Sequence, residues 1–297
     1  MTATVTLPDS RPMRGIGLVS LAVLAFALSD VMMKHLGALY PVPAIIAVRY
    51  LINLGLLAAI LGPRIGAGLW RTRRTGLVVV RGLCLAMGSL TMGLALRLMP
   101  VGETVAIVYL APFLVMGLAV PLLGERVAPI GWLGAAAGFL GLLLIVRPGA
   151  GLDPAGVALS LANAGFAAGY TLLTRFLTRT ESTSAMLFIT ALVGSAVFCL
   201  GALPSLGQFV PTLADWAMMV LLGAITTLGH FLFTAAYREA PASLLAPVNY
   251  LHLVWASGLG WLVFDHVPTE LTLTGIAMVC FGGVVVALQT RFQKGRL

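Results

Sequence analysis

Shifted by 141 positions, the sequence aligns with itself without a gap. The stretch ALRLMPVGETVAIVYLAPFLVMGLAVPLLGERV, residues 95–127, falls on AYREAPASLLAPVNYLHLVWASGLGWLVFDHVP, residues 236–268. Arg97 and Pro100 meet Arg238 and Pro241, and Tyr109-Leu110 meets Tyr250-Leu251. The same offset sets Gly134 on Gly275, Gly141 on Gly282, Gly82 on Gly223 and Gly15 on Gly156. A single register held over most of the chain marks an internal duplication. Any fold for this chain must be built twice.

The material being duplicated belongs in lipid. Hydrophobic residues make up 60% of the 297 positions and charged residues 9%, with a mean hydropathy of +1.03. A soluble domain needs far more polar surface. The apolar runs approach 20 residues, the length of a helix across a ~30 Å hydrocarbon core. Ten spans are expected: 15–37, 43–62, 76–98, 101–122, 129–146, 154–177, 184–206, 216–237, 242–264 and 271–290. The domain reading follows: a segment 1–14, a first five-helix repeat 15–146, a connection 147–153, a second repeat 154–290 and a basic tail 291–297.

The net charge of +8 is a topology signal and carries no sign of nucleic-acid binding. With the amino terminus in the cytoplasm, thirteen of the 18 Lys and Arg residues fall in cytoplasmic segments. Lys34, Arg97 and Arg147 lie on the opposite side, and Arg49 and Arg81 within spans. The positive-inside rule then puts both termini of a multi-pass membrane protein in the cytoplasm. Five spans per repeat is an odd number, so the second half enters the membrane inverted. Inverted repeats suit a secondary transporter, because two like halves can exchange conformations around a midplane site.

Polar groups at membrane depth are costly and mark function. Asp30 and Arg49 lie at matching depth, roughly 10 Å from one end of the first two spans. They are expected to form an ion pair or gate, with Lys34, one turn from Asp30, as a competing partner. Near the midplane stand His230, with Ser89 opposite it in the repeat, and His252 with Trp255, Asn249 and Tyr250. Asn163 and Tyr170 come from the sixth span, and Tyr109 and the helix-weakening Pro112 from the fourth. Rings, amides and imidazoles in one region suit a neutral or zwitterionic solute with a flat, partly apolar body. Glu103, in the first turn of its span, is expected to be structural. Arg81 is expected to snorkel toward the cytoplasm. The glycine stripes of spans five and ten read as helix packing or as a homodimer surface.

Several functions are excluded. Cys84, Cys199 and Cys280 have neither pairing nor metal-ligand spacing. There is no nucleotide-binding loop and no HExxH, so no cofactor, no metal and no enzyme activity are expected.

These residues resemble the drug/metabolite transporter superfamily, most closely its EamA-type permeases and exporters. The resemblance rests on two five-span halves, the LxxxxP entry to span four, and Gly124-Glu125 closing that span before a Gly-rich fifth. It implies that the first four spans of each half line a central cavity and that spans five and ten pack outside it. Ser29-Asp30-Val31-Met32 with Lys34, Arg81-Gly82, and Ala246-Pro247 with Tyr250-Leu251 are similar to S-adenosylmethionine uptake carriers. The second half departs from the pattern, with Asp265-His266 in place of Gly-Glu. The function the resemblance implies is alternating-access export of a small metabolite across the bacterial inner membrane, an aromatic or hydrophobic amino acid first. A larger nitrogenous metabolite such as S-adenosylmethionine or riboflavin is the alternative. A non-transporting membrane subunit or lipid-handling partner is the reading from another class.

Overall fold

The computed structural model describes residues 12–123, 128–147, 151–177, 180–239, 245 and 247–294. The Gly124-Glu125 motif, Ala246 and the terminal residues 1–11 and 295–297 lie outside the described residues. The chain is helical in α1 (Pro12–Leu39), α2 (Val42–Ile65), α3 (Thr75–Leu98), α4 (Val101–Val108), α5 (Ala111–Leu123) and α6 (Pro129–Val146). It continues in α7 (Pro154–Leu177), α8 (Thr183–Ala202), α9 (Leu213–Glu239), α10 (Leu251–Phe264) and α11 (Glu270–Lys294). Among the described residues, eight helical stretches are long and apolar enough to cross a membrane, and two shorter apolar ones complete ten spans.

The packing repeats as the sequence does. α1 lies along α9 as α7 lies along α3, and α2 meets α9 as α8 meets α3. α2 against α8 and α6 against α11 map onto themselves when the halves are exchanged. The protein is therefore all-α, ten spans in two inverted five-helix repeats. Both chain ends of the bundle, Pro12 and Lys294, lie at one end, called here the terminus end; the α1–α2 connection lies at the far end.

Glycines show how closely this symmetry holds. A Cβ on Gly134 would come 2.8 Å from the Gly282 carbonyl oxygen, and one on Gly275 would come 2.6 Å from that of Gly141. Those two contacts are copies of each other under the 141-residue offset. Gly82 against Val193 and Gly223 against Ile52 form another such pair. Both glycine stripes are thus used inside one chain, between α6 and α11. These contacts are the helix packing expected of the stripes. α6 turns Trp132, Leu133, Phe139 and Leu140 outward, as a lipid-facing helix should.

Two spans are not continuous helices. The fourth stops at Val108 and resumes at Ala111, and the ninth contains a 3-10 turn, Pro247–Tyr250, just ahead of α10. Pro112 has no N–H to offer Val108 and its ring crowds that carbonyl, so the ladder breaks just ahead of it. The gap is bridged by 3-10 bonds, Leu110 N–H to Ile107 O at 3.1 Å and Phe113 N–H to Leu110 O at 3.0 Å. In both halves the interruption falls at the Tyr-Leu dipeptide that the repeat superposes.

Replacing Gly134 with leucine would force α6 and α11 apart, at a cost of at least about 1–3 kcal/mol by overpacking. Gly55, on α2, has open space around it. The expected outcome is loss of the monodisperse detergent-extracted species for Gly134→Leu and its retention for Gly55→Leu, read by size-exclusion chromatography.

Candidate functional site

The two helix breaks face each other. The Tyr109 hydroxyl donates to the Asn249 carbonyl oxygen at 2.7 Å, and the Tyr109 and Tyr250 rings are 5.0 Å apart. A backbone carbonyl that leaves a helix at membrane depth must find a donor within the protein. Here the broken span of one half supplies it to the broken span of the other. Tyr109 also stands 5.9 Å from the His252 ring.

His252 connects this junction to α1. Its Nε2 lies 3.1 Å from an Asp30 carboxylate oxygen, with both side chains about 85% buried. Phe26, one turn before Asp30, places its ring 5.0 Å from His230, 6.3 Å from His252 and 6.2 Å from Phe233. The result is a wall of rings from α1, α4, α9 and α10 around one carboxylate–imidazole pair.

Asp30 therefore pairs with His252 and not with Arg49, which corrects the expected gate. Depth alone could not separate these partners: the packing of α1 on α9 and α10 turns the Asp30 face away from α2. Nor does Lys34 compete. Its ammonium donates to the Leu96 and Met99 carbonyls at 2.8 and 2.7 Å, satisfying the end of α3. Arg49 instead sits 5.4 Å from the Tyr50 ring.

Arg81 corrects a second expectation. It is 3% exposed and points inward between α7 and α8. Its guanidinium donates to Thr174, to Thr190 and to the Tyr170 hydroxyl at 2.7, 2.8 and 2.6 Å. The Tyr170 ring also lies 4.2 Å from the charge. Neutral oxygens and one aromatic face thus hold a buried cation. Among the described residues no carboxylate lies within ion-pair distance of Arg49 or Arg81, and the charges of both reach the His230 ring.

The remaining expected residues divide. Ser89 meets the Tyr50 hydroxyl at 3.1 Å, on α3 and away from His230. Asn163 is spent on packing, donating to the Gly88 carbonyl at 2.6 Å. Trp255 is 40% exposed and takes no part in the ring wall, because it lies on the side of α10 away from the buried Leu253 and Gly260. Phe26 was missed in the sequence; its place four residues before Asp30, on the same helix face, was the available signal.

An interior site of rings and charges between two inverted halves is the arrangement of a carrier for small organic solutes. Residues 13–147 and 154–288 each match the EamA-like transporter family, and the chain belongs to it. It is 30% identical to a riboflavin transporter of Brucella anthropi, over 86% of this chain and 92% of that one. It is 28% identical to the pseudopaline exporter CntI of Pseudomonas aeruginosa, over 95% and 97%. It is also 28% identical to an S-adenosylmethionine uptake transporter of Rickettsia bellii, over 89% and 90%. A solved crystal structure, 22% identical, superposes with a TM-score of 0.66 over 95% of this chain and 99% of its own, and shows the shared fold.

Replacing Tyr109 with phenylalanine removes the hydroxyl donor from the Asn249 carbonyl, a loss of about 1 kcal/mol or more. The expected outcome is a Tm several degrees lower in detergent; an unchanged Tm would show that the bond does not tie the two breaks.

Proposed function

We propose that this protein exports a nitrogenous organic solute carrying a carboxylate and a flat, partly apolar body, an aromatic or hydrophobic amino acid in the first place. The observation that carries this reading is the pair of intramembrane cations, Arg49 and Arg81, without a carboxylate partner among the described residues, beside the ring wall of Phe26, Tyr109, His230 and His252. Thr174, Thr190 and Tyr170 solvate Arg81 but do not neutralise it, and net positive charge in a low-dielectric interior favours the arrival of an anionic group. The rings would hold the apolar body and the Asp30–His252 pair the amino group. Ser89, Tyr170, Asn249 and Tyr250 would complete the surroundings, and Asn163 and Trp255 would act from outside them.

A second reading, a larger nitrogenous metabolite such as S-adenosylmethionine or riboflavin, is favoured by the cargoes of the relatives. Both readings share one orientation. The terminus end, which carries the excess of Lys and Arg, faces the cytoplasm of the inner membrane, and the far end faces out. Reporter fusions at either terminus should then be active only as cytoplasmic reporters.

Counterflow in proteoliposomes separates the cargoes. Vesicles are loaded with unlabelled amino acids, S-adenosylmethionine or riboflavin, and uptake of each labelled partner is followed. The first reading expects saturable exchange of an aromatic or aliphatic amino acid, reduced at least tenfold by His252→Ala and by Arg49→Gln. Exchange confined to the larger metabolites would overturn it in favour of the second.

A further inference from the structure

The sequence departs from its own repeat at Asp265-His266, and the structure gives that departure a consequence. Asp265 adopts a left-handed backbone, φ 54°, ending α10 and turning the chain back toward α4. His266 follows, and its Nε2 lies 3.0 Å from Glu103 Oε1. A close approach of α4 to α10 fixes the partner, since a Cβ on Gly102 would come 3.1 Å from the Ser257 Cα. The contact joins the first half to the second at the far end.

Two features set this contact apart from ordinary packing. Glu103 is 3% exposed, yet its second oxygen, Oε2, is buried with no hydrogen-bond partner. His266 has a side chain 42% exposed and lines a pocket of about 290 Å³ with Lys34, Val101, Gly260 and Phe264. His266 lines that pocket and touches the buried carboxylate, so a proton can reach Glu103 through the imidazole. Against an ionised Glu103, which only accepts, the Nε2–H tautomer of His266 donates and leaves Nδ1 to take up a proton from water.

We propose that Glu103 and His266 form a proton-binding latch, and that its occupancy holds the far end of the two halves together. Proton uptake at Nδ1 turns a neutral imidazole–carboxylate hydrogen bond into an ion pair, which is shorter and stronger. Loss of the proton leaves a buried carboxylate with one neutral donor and one orphan oxygen, and the far end opens more readily. The nearby charge is Lys34 of α1, whose field reaches Glu103. Among the described residues the other ionisable groups at this end are His35 and Tyr40 at the end of α1, Arg97 on α3, Arg147 after α6, Asp153 before α7, Asp215 at the start of α9, and Asp265 and Glu270 flanking His266. The transporter reading supplies the purpose: a proton bound at this site links the carrier's cycle to the proton gradient.

The test needs no transported solute, so its failure is separate from failure of the cargo assignment. Val105, 1% exposed and one turn deeper on α4 than the pocket-lining Val101, is replaced with cysteine in full-length protein whose Cys84, Cys199 and Cys280 are alanine. Labelling by a membrane-impermeant maleimide is then compared at pH 6 and pH 8 in proteoliposomes, with and without His266→Gln. That variant lies at a half-exposed position and carries the intrinsic pH dependence of the thiol. The expected result is a pH 8 to pH 6 rate ratio at least fivefold larger in the parent than in His266→Gln, with His35→Gln behaving as the parent. Equal ratios in the parent and His266→Gln would overturn the latch, as would loss of the effect in His35→Gln alone.

Discussion

Hydrocarbon offers a peptide group no hydrogen-bond partner, so every break in a membrane helix must be answered by another part of the protein. In this chain two breaks answer each other. Pro112 ends one helix early, a 3-10 turn interrupts its counterpart, and the Tyr109 hydroxyl closes on the Asn249 carbonyl between them. Everything proposed for the interior is arranged around that junction. His252 sits one turn beyond it, Asp30 holds His252, and Phe26 carries the ring wall on to His230.

The halves are duplicates in backbone but not in chemistry. At membrane depth Asp30, Lys34, Arg49, Arg81 and Glu103 all belong to the first half, while the second contributes His230 and His252, with His266 at its edge. Each of the two interior carboxylates accordingly finds an imidazole across the interface, Asp30 with His252 and Glu103 with His266. A charged group from one half satisfied by a titratable group from the other ties ionisation to the relative position of the halves. The glycine-on-glycine contact of α6 with α11 contributes the opposite property, a shape fixed by backbone on backbone that leaves little freedom to slide.

The fold was legible in the sequence because its signals are long. An apolar run of 20 residues and a register of 141 positions survive local irregularity, so the ten spans and the inverted repeat could be read directly. Pair contacts were not legible in the same way. Asp30 and Arg49 share a depth, but partner choice depends on helix rotation, and rotation depends on which neighbour each face packs against. Arg81 looked like a side chain that would reach back to water; it turned inward because Thr174, Thr190 and Tyr170 together supply the oxygens that water would have supplied. Asp265-His266 was visible only as a mismatch between the halves, and its meaning needed the left-handed turn that brings it to Glu103.

The central claim is that the two halves move against each other about the Tyr109–Asn249 junction, exposing the interior to each side in turn. Pulsed electron–electron resonance on two spin-label pairs in lipid tests it most directly. One pair would span the far end, at Leu98 and Val267, and the other the terminus end, at Trp70 and Phe176. Addition of the exchanging solute should change the two distance distributions in opposite senses, one end closing as the other opens. Distances that stay fixed at both ends, or that widen and narrow together, would contradict alternating access in this protein.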